Sequence, residues 1–125
     1  MEFNLEVPQN QFFIRSVSEK GIRVNNDYFK GPVIISGQRI VPEWNVECVA
    51  DINEESLQAV FDLQPEVILI GTGNTQMFLP PATQVHFFRR NFGFEVMTTD
   101  AACRTFNVLV AEGREVVAAL LPLTP

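Results

Sequence analysis

Gly71-Thr72-Gly73 directly follows the apolar run Val67-Ile68-Leu69-Ile70. A glycine-rich loop at the end of a buried strand exposes backbone amides, and such amides can hold an anion. The pattern stops short of a nucleotide site. Gln76 stands where a dinucleotide fingerprint needs its third glycine, and the next helical pattern starts well downstream rather than at once. No Gly-Lys-Ser/Thr follows, so this is not a phosphate loop. The same residues also read as a tight turn that needs backbone angles only glycine adopts freely.

A second group lies at Thr98-Thr99-Asp100 and Asn107, on the start and flank of a helical pattern. Free amides and the helix dipole favour a small anion there by about 0.3–1 kcal/mol when exposed. Asp100 is itself negative and competes with such a ligand. A capped helix, with Asn107 bonded to a neighbouring loop, accounts for the same residues. Asn107 borders the apolar stripe, and an unpaired amide there costs about 1–3 kcal/mol. Gly71, Thr72, Gly73, Thr99 and Asn107 are therefore the ligand-binding candidates.

Catalytic chemistry is hard to assemble from the remaining residues. His86, Arg89 and Arg90 form the only local basic cluster, and they read as a solvated helix face. A single histidine cannot anchor a multi-histidine metal site, and no nucleophile elbow accompanies it. Cys103 falls on an apolar helical stripe, where a thiol is inert. Cys48 and Cys103 are far apart, outside any Cys-x-x-Cys pair, and read as reduced thiols. No catalytic residue, metal site or cofactor is assigned.

The elements that must position these residues change character along the chain. Phe12–Val17, Ile22–Val24, Val33–Ile35 and Arg39–Val41 read as short strands separated by turns at Ser18–Gly21, Asn25–Asp27 and Gly37. Together they suggest a small antiparallel meander. From Asp51 the period becomes helical. Asp51 and Asn53 are candidate caps, Leu57, Val60 and Phe61 form a stripe, and Gln64-Pro65 ends it. Val67–Ile70 and Val116–Leu121 are continuous apolar runs, as in strands covered on both faces. A second helix is expected from Pro81, with Val85, Phe88 and Phe92 as its stripe, Phe87 off it, and Gly93 as its stop. Glu95–Met97 is a short strand. A third helix carries Ala102, Cys103, Phe106, Leu109 and Val110 on one side and ends at Gly113. Val108 and Ala111 lie off that stripe, so an interface with a protein partner is an expectation. Helices alternating with apolar strands indicate a layered α/β core.

Composition bounds the function. A chain of 125 residues fits one domain over 1–125 and can bury a real core. Its net charge of −6 argues against nucleic-acid binding and against anionic membrane surfaces. No apolar run is long enough to insert in a bilayer. The segment Met1–Glu6 is acidic, with no apolar signal core, so cytoplasm is the expected location.

One resemblance extends over residues 10–122. Its carriers are Glu95-Val96-Met97-Thr98-Thr99-Asp100-Ala101-Ala102-Cys103-Arg104-Thr105-Phe106-Asn107-Val108-Leu109, Glu112-Gly113-Arg114, Ala118-Ala119-Leu120-Leu121-Pro122, Leu69-Ile70-Gly71-Thr72-Gly73 and Trp44. The chain resembles the small family that includes the mitochondrial respiratory complex I assembly factor 3 and an adipogenesis-associated cytosolic protein. That resemblance implies a three-layer α/β fold, with a central mixed sheet flanked by helices and a β-rich N-terminal part. It implies no established enzyme activity. Two functions compete: a non-catalytic interaction or assembly-factor-like protein, and a small-molecule or anion-binding domain with enzymatic potential.

Overall fold

A computed structural model of the chain describes residues 11–125, so the reading of Met1–Glu6 lies outside it. The strands are β1 (Ile14–Ser18), β2 (Gly21–Val24), β3 (Asp27–Phe29), β4 (Val33–Ser36), β5 (Ile40–Pro42), β6 (Val67–Gly71), β7 (Gly93–Met97) and β8 (Val116–Leu120). The helices are α1 (Glu54–Phe61), α2 (Pro81–Arg89) and α3 (Thr99–Ala111), with one 3₁₀ turn at Val49–Asp51.

The strands form two sheets. One is antiparallel, in the order β1-β2-β3; the other is mixed, in the order β5-β4-β8-β6-β7. Within the second, β6 runs parallel to both β7 and β8, while β4 is antiparallel to both β5 and β8. Both long apolar runs therefore occupy interior strands, as their composition requires.

Alternation along these strands separates two cores. Ile34, Ile68, Ile70, Val117 and Ala119 face Leu57, Val60 and Phe61 of α1 and Phe87 of α2. Val33, Ile35, Leu69, Val116, Ala118 and Leu120 face Ala102, Cys103, Phe106 and Val110 of α3, with Ile14, Ile22 and Val24 of the small sheet beside them. A side-chain period of two sends neighbours to opposite faces, so one sheet needs cover on both. The result is three layers: α1 and α2, the mixed sheet, then α3 with the small sheet.

Three sequence expectations need correction. The N-terminal strands are not one meander. Val33, Ile34 and Ile35 are all fully buried, which demands cover on both faces, and β4 obtains it by pairing with β8. Asp27 also belongs to β3 rather than to the preceding turn, where Asn25 takes the left-handed angle at φ 51°.

The α2 stripe is the second. Phe87 is completely buried, whereas Phe88 is 62% and Val85 37% exposed. Phe87 stacks on Phe94 at 4.2 Å between centroids and meets Phe61 edge-on at 5.5 Å. One turn earlier, Thr83 Oγ1 donates to Ile52 O at 3.2 Å and fixes the same face inward. Phe92 does reach the core, stacked on Phe61 at 5.3 Å, but from beyond the helix.

Third, Gly93 does not stop α2. Asn91 takes the left-handed position at φ 57°, a conformation Asn tolerates better than most residues, and Gly93 opens β7.

Candidate functional site

The loops after β6, β7 and β8 leave the mixed sheet at one edge, because Gly71 pairs with Met97 on one side and Leu120 on the other. Four of the five candidate ligand residues meet there. Gly73 N–H donates to Thr99 Oγ1 at 2.8 Å, and Thr99 N–H donates to Gly73 O at 3.0 Å. Thr99 Oγ1 in turn donates to Leu121 O at 2.5 Å, and Leu121 N–H donates to Gly71 O at 2.9 Å. Thr72 N–H donates to Met97 O at 2.9 Å, while its hydroxyl donates to Thr75 O at 2.6 Å. Thr99 is completely buried. The three loops are thus fastened to one another.

Glycine is needed twice in this junction. A Cβ on Gly71 would lie 2.9 Å from Thr99 Cα, Thr99 Oγ1 and Leu120 Cδ2. Gly73 has φ +95°, a left-handed angle that other residues rarely adopt. Helix capping falls to Thr98, whose hydroxyl accepts from Ala101 N–H at 3.3 Å.

Asn107 lies elsewhere, two turns along α3. Its Oδ1 accepts from Ile14 N–H at 2.8 Å and its Nδ2 donates to Ile14 O at 2.7 Å. This amide pairs with β1 as another strand would and ties the small sheet to α3.

The basic cluster is divided rather than uniformly solvated. Arg90 Nη2 donates to Glu54 Oε2 at 2.8 Å, and its guanidinium lies 4.7 Å from the Phe61 ring centre. His86 Nδ1 is 3.7 Å from the same carboxylate oxygen. Arg89 stays exposed. The hydrogen bond from Arg90, followed by the charge of His86, holds the Glu54 carboxyl below its ordinary value. These groups join the start of α1 to the end of α2.

Both cysteines are free. Burial, aided by the charge of Asp100, pushes the Cys103 thiol up to about 12. Cys48 is exposed, with Sγ 3.7 Å from Asp51 Oδ2. Among the described residues, no three His, Cys, Asp or Glu side chains converge on a point that could hold a metal ion. No helix of these residues is long and apolar enough to cross a membrane.

Sequence reasoning missed a concave surface. An open groove of about 720 Å³ runs between the Glu43–Glu47 segment and α1, with Trp44 in its wall and Glu43, Glu47, Asp51 and Glu55 around it. The indole Nε1 donates to Ser56 O at 2.8 Å and holds the wall in place. Glu43 has φ 63°, an uncommon angle for a residue with a side chain. Glu43, Glu47, Asp51 and Glu55 recur every four residues, but only Glu55 lies on a regular α-helix, so the spacing matches no motif with a known chemistry.

A family model described as "Protein of unknown function (DUF498/DUF598)" matches residues 14–121. The chain is 38% identical over 119 residues to the mouse protein named NADH dehydrogenase [ubiquinone] 1 alpha subcomplex assembly factor 3, covering 94% of this chain and 63% of the relative. It therefore spans just under two thirds of that relative's length. A Francisella tularensis protein named 13 kDa major membrane protein is 28% identical over 118 residues, covering 93% of this chain and 95% of its own. Among solved structures, a Bordetella parapertussis protein superposes with a TM-score of 0.85 at 37% identity, covering 92% of this chain and 98% of the other. A Bordetella pertussis protein described as a Mth938-like domain does so with a TM-score of 0.83 at 29% identity, over 98% and 92% of the two chains.

Proposed function

The chain belongs to the DUF498/DUF598 family, and we propose that it acts as a non-catalytic interaction protein of the assembly-factor kind. The observation that carries this reading is its similarity to proteins named as assembly factors of NADH dehydrogenase, at 34–38% identity across most of this chain. Two features of the fold support it. The sheet edge where α/β proteins usually place ligands has the amides of Thr72, Gly73, Thr99 and Leu121 engaged with neighbouring segments. Large apolar side chains stand exposed on the same loop, after β6, and on α2, with Phe78 83%, Phe88 62% and Met77 50% accessible. Such side chains suit contact with protein. The chain works as one domain in the cytoplasm.

The test is capture in the native cell. Tagged protein is crosslinked, purified and its partners identified by mass spectrometry, while a deletion strain is examined on native gels. The expected result is a defined protein partner and the accumulation of a partly assembled respiratory complex. Normal assembly in the deletion strain, with no partner captured, would overturn the proposal.

A second reading keeps a small-molecule or anion site at Gly71, Thr72, Gly73, Thr99 and Asn107. It is favoured by the gathering of the β6 and β7 loops at one sheet edge. Thr99→Val and Asn107→Leu separate the two readings. Loss of stability with unchanged capture supports structural roles, and loss of capture with unchanged stability supports a site.

A further inference from the structure

The mixed sheet ends differently on its two sides. The β5 edge is three residues long and closes on Pro42, which has no amide hydrogen to offer. The β7 edge is five residues long and contains no proline.

The direction of its backbone groups follows from the ladder. Met97 O accepts from Thr72 N–H, on the inner side. Backbone groups alternate along a strand, so those of Glu95 also point inward, and those of Phe94 and Val96 point outward. Val96 O confirms the direction by accepting from the side chain of Gln76 at 3.1 Å. Among the described residues, three outward groups remain for a further strand: Phe94 N–H, Phe94 O and Val96 N–H.

Apolar side chains border one face of this edge. Phe94 and Val96 are partly buried on the α2 face, and Phe88 meets Phe94 edge-on at 5.6 Å while staying 62% exposed. The loop that bonds Val96 through Gln76 continues into Met77 and Phe78, which are 50% and 83% exposed. The other face carries Glu95, exposed and with no ion-pair partner among the described residues.

We propose that the outer edge of β7 is a docking site for an extended segment of a partner protein, in which apolar residues flank a basic one. Pairing through Phe94 and Val96 places one incoming side chain directly opposite Glu95. A lysine or arginine there neutralises the free carboxylate. Its two neighbours fall on the other face, against Phe94, Val96 and Phe88. A second copy of this chain fits poorly, because antiparallel pairing through the same outward groups sets Glu95 against Glu95, and like charges directly opposite are unfavourable. This inference rests on the interaction reading above and names the surface and partner chemistry it would use.

The test is an NMR titration of the full-length protein with the capped peptide Ser-Val-Lys-Val-Thr and its Lys→Glu version. The expected result is that the Phe94 and Val96 amides shift and exchange more slowly with the lysine peptide. The glutamate peptide binds roughly threefold more weakly or worse, as opposed like charges require. Glu95→Lys, an exposed substitution whose fold is checked in the same spectra, reverses that preference. Absence of shifts at Phe94 and Val96, an unchanged preference in Glu95→Lys, or concentration-dependent shifts there without peptide would each overturn the proposal. Capture of a partner in cells, with no edge-specific peptide response, leaves the interaction reading standing and removes only this surface.

Discussion

Thr99 shows how much one hydroxyl can organise. It accepts from the Gly73 amide and donates to the Leu121 carbonyl, so one side chain joins the ends of β6, α3 and β8. Valine matches its shape but offers neither bond. Two backbone groups would then be buried without partners, each at a cost of about 1–3 kcal/mol. Thr99→Val should therefore lower stability by at least that much in urea unfolding. Asn107→Leu should lose a comparable amount, about 1–3 kcal/mol, because both Ile14 backbone groups lose their partner. The cysteines diverge for a different reason. The thiolate is the nucleophile, and burial holds Cys103 in the thiol form up to about pH 12. In native protein, iodoacetamide should modify exposed Cys48 and spare Cys103, and denaturation should make both reactive. Intact-mass measurement checks this; native labelling of Cys103 at a rate matching Cys48 would count against a closed core.

Helices differ in how plainly sequence displays them, and length is the reason. In α3, thirteen residues give more than three turns, and the stripe of Ala102, Cys103, Phe106 and Val110 is the buried one. With nine residues, α2 offers too few repeats to fix a phase. Val85, Phe88 and Phe92 match the period as well as Thr83 and Phe87 do, and only contacts with Phe61, Phe94 and Ile52 decide between them. Strand existence was legible wherever apolar residues ran together, as at Val67–Ile70, yet sheet membership was not. Nothing in Val33-Ile34-Ile35 names β8 as its partner across more than eighty intervening residues. The meeting of the Gly71–Gly73 loop with Thr99 was legible from two strand-to-helix turns, whereas the removal of Asn107 to β1 was not. The α2 correction has a direct test. Phe87→Ala should cost about 3–5 kcal/mol, as for other buried aromatic truncations. Phe88→Ala should cost much less, since most of its ring is already in water. Equal losses in denaturant melts would show that the assigned faces are wrong.

At the scale of the molecule, the strand order β5-β4-β8-β6-β7 predicts how hydrogen exchange should spread. β8 and β6 have bonded neighbours on both sides and are covered above and below by the two cores. Their amides can exchange only when most of the domain opens, so they should be the slowest and should report global stability. Along β7 the pattern should instead alternate. Glu95 and Met97 turn inward to β6, whereas Phe94 and Val96 turn outward and, among the described residues, donate to no neighbouring strand. Slow exchange at Glu95 and Met97, between fast amides at Phe94 and Val96, is the expected record in a native-state experiment. The small β1-β2-β3 sheet should open before the mixed sheet, because the Asn107 tie, side-chain packing and the bond from Phe12 N–H to Gly37 O hold it there, with no strand ladder joining the two sheets among the described residues. Asn107→Leu should then speed exchange in β1 and β2 while leaving β6 and β8 nearly unchanged. The alternation in β7 is the sharper measurement, because a strand bonded on one side only produces it and a strand bonded on both sides does not. Uniform protection along β7 would mean that the edge is already occupied in the free protein.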